Sequence, residues 1–235
     1  MPSGEAYSVQ TFIPNAAKIT ANGNGRILAN WDGYYSQYNG LELSMVKRLS
    51  NRWMARVGAA WNMANEYYQE AVPRNNFGNP TPVDTEPLRD GGAFVVRSVG
   101  SGTGDVFIHG KWQVSANGVY VLPYGVELGA SLFGRQGFPF PVYREIALGR
   151  DGSRRVLVSP ELDTIRFDDL WNLDLRLAKS FRIGNASAQF IGDLFNVMNA
   201  NTEMVRNRNA DSPNFQRLAQ NLSPRILRFG VRLGF

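Results

Sequence analysis

Apolar and polar residues alternate with a period of two in seven stretches of this chain, and the alternation is cleanest in 225–235. There Leu227, Phe229, Val231, Leu233 and Phe235 occupy every second position, separated by Arg228, Gly230, Arg232 and Gly234. Successive side chains of a β-strand point to opposite faces, so this stretch predicts a strand with one apolar face and one face of arginine and glycine. Residues 38–49 set Leu41, Leu43, Met45 and Leu49 against Glu42, Ser44, Val46 and Arg48. A short turn at Ser50-Asn51-Arg52 leads into 53–67, where Trp53, Ala55, Val57, Ala59, Trp61 and Met63 alternate with Arg56, Gly58, Ala60 and Asn62. Residues 112–122 and 126–136 form a second pair around Pro123-Tyr124-Gly125, a tight turn by composition. Residues 171–182, with Trp171, Leu173, Leu175 and Leu177 on the apolar side, turn near Gly184-Asn185 into 187–197.

A polar stretch, 14–37, precedes the first pair, and three long loops follow: the first 68–110, the second 137–170 and the third 198–223. Small hairpins are expected inside two of them, at 94–99 with 106–108, and at 142–148 with 154–158 around Asp151-Gly152. An eighth strand is expected at 6–13. Short turns and long loops therefore alternate, one kind on each side of the sheet. The strands match the roughly 9–11 residues that a tilted strand needs to cross a bilayer. On this topology Trp53, Tyr120 and Phe181 of the apolar face lie toward the turns, with Phe235 at the end of the last strand. Tyr67, Trp112 and Trp171 lie toward the loops. Two aromatic belts are what a membrane-spanning barrel places at its two interfaces.

Composition agrees. A mean hydropathy of −0.27 is too polar for helical spans. No apolar run approaches the roughly 18 residues of a transmembrane helix, a test that a barrel escapes because only alternate residues face lipid. The 235 residues suit one large domain, contain no cysteine for disulfides or thiolate sites, and carry a single histidine, His109. The formal charge of +5 is scattered along the chain, which predicts no nucleic-acid partner and fits an anionic membrane surface. The first ten residues lack the basic and apolar regions of a signal peptide, so a secreted barrel of this kind is expected to be the C-terminal part of a longer protein.

A closing strand that stops on Phe235 resembles the last strand of bacterial outer-membrane β-barrels, which the barrel-assembly machinery reads. Tyr38-Asn39-Gly40-Leu41-Glu42-Leu43-Ser44, followed by Lys47-Arg48-Leu49-Ser50-Asn51, resembles the late barrel of TonB-dependent receptors. The nearest group is the Oar-like receptors, with a carboxypeptidase-regulatory-like domain at the front. Leu173-Asp174-Leu175-Arg176-Leu177-Ala178-Lys179-Ser180-Phe181 is similar to the strand before that family's last hairpin. Asp193-Leu194-Phe195-Asn196-Val197-Met198-Asn199 is similar to its recurrent Asn/Asp-Leu-Phe-Asn/Asp element. The likeness extends over about residues 30–235.

The resemblance implies an all-β fold, an antiparallel transmembrane β-barrel segment of seven to eight strands with short periplasmic turns and long extracellular loops. It would be about the last third of a plugged barrel of roughly 22 strands. Residues 1–235 are then a single partial barrel domain without plug, front domain or signal peptide. The implied function is TonB-dependent uptake or binding of a large solute in the outer membrane. The implied partners are outer-membrane lipid and lipopolysaccharide, the barrel-assembly machinery, and the plug domain and through it TonB. Phe229, Val231, Leu233 and Phe235 would form the assembly signal. Trp53, Tyr67, Trp112, Tyr120, Trp171 and Phe181 would form the belts. Glu42, Arg48, Arg56, Asp174, Arg176, Arg228 and Arg232 would face the lumen.

A self-contained eight-stranded barrel acting as adhesin or structural anchor is the alternative, since an even number of strands can close. An enzyme is not expected. Gly100-Ser101-Gly102-Thr103-Gly104-Asp105 lacks the Lys-Ser/Thr and the helix of a phosphate cradle. Asp163, Asp168 and Asp169 lack calcium-loop spacing. No catalytic, cofactor or metal site is expected.

Overall fold

The computed structural model describes residues 34–68, 90–93, 96–98, 106–108, 110–147, 153–157, 165–184 and 186–235, with the single residues 17 and 20. The first strands are β1 (Tyr34–Ser50), β2 (Trp53–Tyr68) and the short β3 (Asp90–Ala93), β4 (Val96–Ser98) and β5 (Val106–Ile108). Next come β6 (Trp112–Leu122), β7 (Val126–Arg135), and the small hairpin β8 (Tyr143–Ala147) and β9 (Ser153–Leu157). The chain ends with β10 (Leu170–Ile183), β11 (Ala186–Phe195), β12 (Glu203–Arg206), β13 (Leu218–Asn221) and β14 (Ile226–Gly234).

One large antiparallel sheet runs β1-β2-β6-β7-β10-β11-β14. These are the seven strands that alternation predicts. The expected eighth strand at 6–13, with His109, Asp163 and the glycine-rich 101–105, lies outside the described residues. β1 starts at Tyr34, earlier than the alternation indicates, because Tyr34 and Tyr35 pair with Tyr68 and Tyr67. The expected hairpins form as β4–β5 and β8–β9. Two elements were not foreseen. β3 pairs with β2 at Asn65 and Tyr67, beyond Trp61 where pairing with β6 stops. β12 and β13 build a hairpin inside 198–223, read from sequence as a loop because strands so short show no sustained alternation.

The tight turns use left-handed backbone. Asn51 and Arg52 have φ of 51° and 69°, the mirror-type turn whose twist matches the flanking strands. Lys47 holds this turn, its ammonium donating to the Ser50 hydroxyl at 2.7 Å and carbonyl at 3.0 Å while lying 4.0 Å from the centre of the Trp53 ring. The register slips by one residue between Lys47 and Ser50, a β-bulge. Leu49, expected on the apolar row, instead lines the same hollow as Arg48. At Pro123–Gly125, Tyr124 and Gly125 have φ of 65° and 68°.

The tightest packing lies among the loops. Pro139 and Pro141 are fully buried, beside Phe140, Val142, Tyr143 and Leu170. Phe140 N–H donates to the Ile165 carbonyl at 2.8 Å, and Phe167 N–H to that of Phe138 at 3.0 Å. Gly137 sits so close to the Phe167 carbonyl that a Cβ there would overlap it. Tyr143 joins this layer to the third loop, donating from its N–H to the Arg208 carbonyl and accepting from Ala210 N–H. Beside it the Asp211 carboxylate accepts from the Arg144 guanidinium at 2.7 and 2.8 Å and from Glu145 N–H at 2.8 Å. Loops two and three are thus one folded unit.

Arg144, and then the Glu145 amide, hold the Asp211 carboxyl below its ordinary value of 3.8. A depressed folded value contributes stability above the unfolded value and loses it as pH falls through the folded one. Docking of β8 against 207–211 should therefore be firm above about pH 4 and loosen in stronger acid. Hydrogen exchange of the Tyr143–Ala147 amides, corrected for intrinsic rate, should show this. An unchanged pH profile in Asp211→Asn would remove the assignment.

Candidate functional site

The register sorts the side chains of the sheet. Reading across it, Met45 faces Val57, Val57 faces Ala116, Ala116 faces Leu132, and Leu132 faces Leu173. Further along, Leu175 faces Leu194, which faces Leu227. Residues directly opposite share a face, so the apolar rows of all seven strands lie on one side. This face is open: Leu43 is 63% exposed, Trp61 48%, Phe190 53% and Phe229 78%.

The aromatic residues singled out from the sequence belong to it. Trp53 pairs with Tyr120, and Trp61 with Trp112. The Trp112 and Trp171 rings lie 5.5 Å apart from non-adjacent strands, and Trp171 covers Gly134, which has no side chain to displace it. Phe181 meets Phe190 edge-on at 5.8 Å. Tyr67 occupies the same register side, opposite Tyr35. In the closing strand Phe229, Val231, Leu233 and Phe235 all belong to this exposed row.

The other face is polar and concave. A hollow of about 830 Å³ touches six strands, lined by Arg48, Arg56, Asn117, Ser131, Asp174, Arg176 and Asp193 among others. Six strands around one hollow require the sheet to curl with this face inside. Glu42 lines a second depression with Ser44, Gln113 and Ser115. Arg232 faces Gln189 and Arg228 faces Asp193. By register, and for Arg48 by the hollow it lines, Glu42, Arg48, Arg56, Asp174, Arg176, Arg228 and Arg232 lie on this one side of the sheet. No helix among the described residues is long and apolar enough to cross a membrane.

Asp193 was not among the predicted site residues, yet it ties three strands together. It lies in one cross-strand row between Arg176 and Arg228. Its Oδ1 accepts from Arg176 Nε at 2.6 Å and its Oδ2 from Arg228 Nη2 at 2.7 Å. The carboxylate is buried, whereas the arginine side chains are 54% and 60% exposed. Opposite charges in adjacent strands are the signal, but it is visible only once the register is known.

Asn196 ends β11 with a left-handed φ of 48°. Its amide nitrogen donates to the carbonyls of Ala200 and Ser223 at 2.9 and 2.8 Å, and its oxygen accepts from Ala200 N–H at 2.9 Å. Asn196 N–H donates to Asp174, and Asn199 accepts from Arg225 N–H. The Asp-Leu-Phe-Asn-Val-Met-Asn element is therefore a buckle: Asp193 joins strands, and Asn196 and Asn199 fasten the third loop to the start of β14.

No family model, curated protein or solved structure matches this chain. Its chemistry therefore has to be taken from its own geometry. Among the described residues no three His, Cys, Asp or Glu side chains group as metal ligands. Asp169 is engaged by Gly137 N–H at 3.0 Å. The features to be explained are the two faces.

Asn196→Ala should lower stability by about 1–3 kcal/mol, because it leaves part-buried backbone groups at Ala200 and Ser223 without their partner. Asn196→Gly relieves the left-handed backbone and should recover only part of that loss. Urea unfolding in detergent, followed by tryptophan fluorescence, measures both. Full recovery in the glycine variant would mean that the side-chain bonds contribute nothing.

Proposed function

We propose that this chain is the C-terminal barrel segment of a TonB-dependent outer-membrane receptor, contributing to uptake or binding of a large solute. The observation that carries the reading is the exposed apolar face running unbroken across seven strands. Water-soluble monomers rarely leave apolar patches larger than a few hundred Å² uncovered, and a bilayer is the solvent that such a face fits. The polar concave side suits a water-filled or plugged lumen. Short turns on one side and long, internally packed loops on the other fit the periplasmic and extracellular ends. The sequence motifs at 38–51, 173–181 and 193–199 supply the narrower resemblance.

In this reading the apolar row contacts outer-membrane lipid, and lipopolysaccharide on the loop side. Phe229, Val231, Leu233 and Phe235 are offered to the assembly machinery. A plug domain coupled to TonB occupies the lumen. Self-closure into a small anchor barrel would need the strand expected at 6–13, which lies outside the described residues. With seven antiparallel strands, β1 and β14 run in the same direction, so their edges do not form an antiparallel pair with each other. A bilayer tolerates no open edge, so further strands must complete the wall.

Leu175→Arg, on the apolar face, should cost roughly 2–4 kcal/mol in a membrane-embedded barrel, and Asn172→Arg, on the polar face, much less. Both are measured by unfolding from lipid or detergent. Equal losses would end the lipid-facing assignment. For transport, solute accumulation by cells carrying the complete receptor should stop when TonB is deleted, and undiminished uptake would rule out the TonB-dependent part.

A further inference from the structure

The charges are distributed unevenly between the two ends of the sheet. The turn-end segments 47–56, 119–129, 179–190 and 231–235 contain Lys47, Arg48, Arg52, Arg56, Lys179, Arg182 and Arg232, against Glu127 as the one acidic side chain. Seven basic side chains against one exceeds the +5 surplus of the whole chain. The ion pairs observed elsewhere, at Asp193, at Asp211 and between Arg206 and Glu203, lie nearer the loop end or in the loops themselves. Among the described residues no carboxylate pairs with any of the seven turn-end cations.

Their setting is interfacial. Lys47 and Lys179 emerge on the apolar face itself, with their ammonium groups 4.0 Å and 5.5 Å from the ring centres of Trp53 and Phe181. Each is directed toward the adjoining turn, Lys47 donating to Ser50 and Lys179 to the Tyr124 carbonyl. Arg52 is exposed at one turn tip, and Tyr124, 91% exposed, stands at the next. Long cationic side chains lying over apolar surface with their charge at the rim, interleaved with aromatics, are how proteins meet a headgroup layer.

We propose that the short-turn rim is a binding surface for anionic phospholipid headgroups, engaged through phosphate by Lys47, Arg52 and Lys179. This rests on the membrane reading above and deepens it by assigning lipid chemistry to one rim. A cation near an anionic membrane surface contributes about 1 kcal/mol, roughly fivefold in affinity, and is screened by salt.

The test is flotation of the full chain with vesicles of phosphatidylcholine alone and of phosphatidylcholine with phosphatidylglycerol, at low and high salt. The expected result is preference for the phosphatidylglycerol vesicles, diminished by salt. The combined variant Lys47→Gln, Arg52→Gln and Lys179→Gln should bind them roughly a hundredfold more weakly, while Arg144→Gln, in the loops, should not change. Tryptophan fluorescence checks that each variant is folded, and the salt series on the unaltered chain stands if one is not. Equal, salt-insensitive binding to both vesicles overturns the headgroup proposal and leaves the membrane reading intact. Binding to neither overturns both. A triple variant that keeps the preference, or an Arg144→Gln variant that loses as much, overturns the assignment to this rim.

Discussion

Everything in this sheet depends on the backbone ladder holding one register across its seven strands. The side-chain period of a strand is two, so a slip of one residue would send a whole strand's apolar row to the opposite face. Apart from one bulge in β1, the pairing of the seven strands runs without a slip. The bulge between Lys47 and Ser50 sits next to a turn, where it re-aims Leu49 and nothing beyond it. The apolar rows on one face, and the charged and polar side chains gathered on the other among Val46, Met54, Val119 and Phe195, both follow from that continuity.

The polar face adds the fastenings that the ladder lacks. Asp193 collects guanidinium groups from residues 17 and 35 positions away, on the strands to either side. Asn196 sits three residues further along and turns the same segment into an anchor for the third loop. That loop is joined through Asn209, Ala210 and Asp211 to β8 and the buried prolines of the second loop. A continuous set of polar contacts thus connects the centre of the sheet to the loop end. The buried apolar side chains lie mostly at the loop end, and the sheet contributes a wall.

A wall with a greasy outside, a polar inside and two edges unpaired among the described residues has different needs at each surface. The proposed lipid contact satisfies the outside, the lumen satisfies the inside, and further antiparallel strands satisfy the edges. The two rims also differ. Aromatic pairing of Trp112 with Trp171 marks the loop end, whereas unneutralised cations over Trp53 and Phe181 mark the turn end. On the membrane reading proposed above, its charges as well as its loop lengths would set its orientation in a bilayer.

The sequence by itself determined the seven long strands, where the short turns fall and, apart from Leu49, which side chains share a face within each of those strands. Alternation is a local property, and Leu41, Leu43 and Met45 announce it without help from the rest of the chain. The all-β class and the hairpins at β4–β5 and β8–β9 were legible for the same reason. Only the tertiary structure decided the register between strands, because pairing is a contact between residues far apart in the chain. The Asp193 bridge, the partnership of Trp112 with Trp171, and the curl that gives Arg56 and Asp174 a common hollow all come from that register. β3 and the β12–β13 hairpin were hidden for a related reason: strands of four residues are too short to carry a period and form where a neighbouring chain segment offers them a partner. The Leu49 bulge was hidden because the left-handed turn at Asn51-Arg52 and the Lys47 contacts set its geometry, and neither alters the pattern of apolar positions from which strands are read.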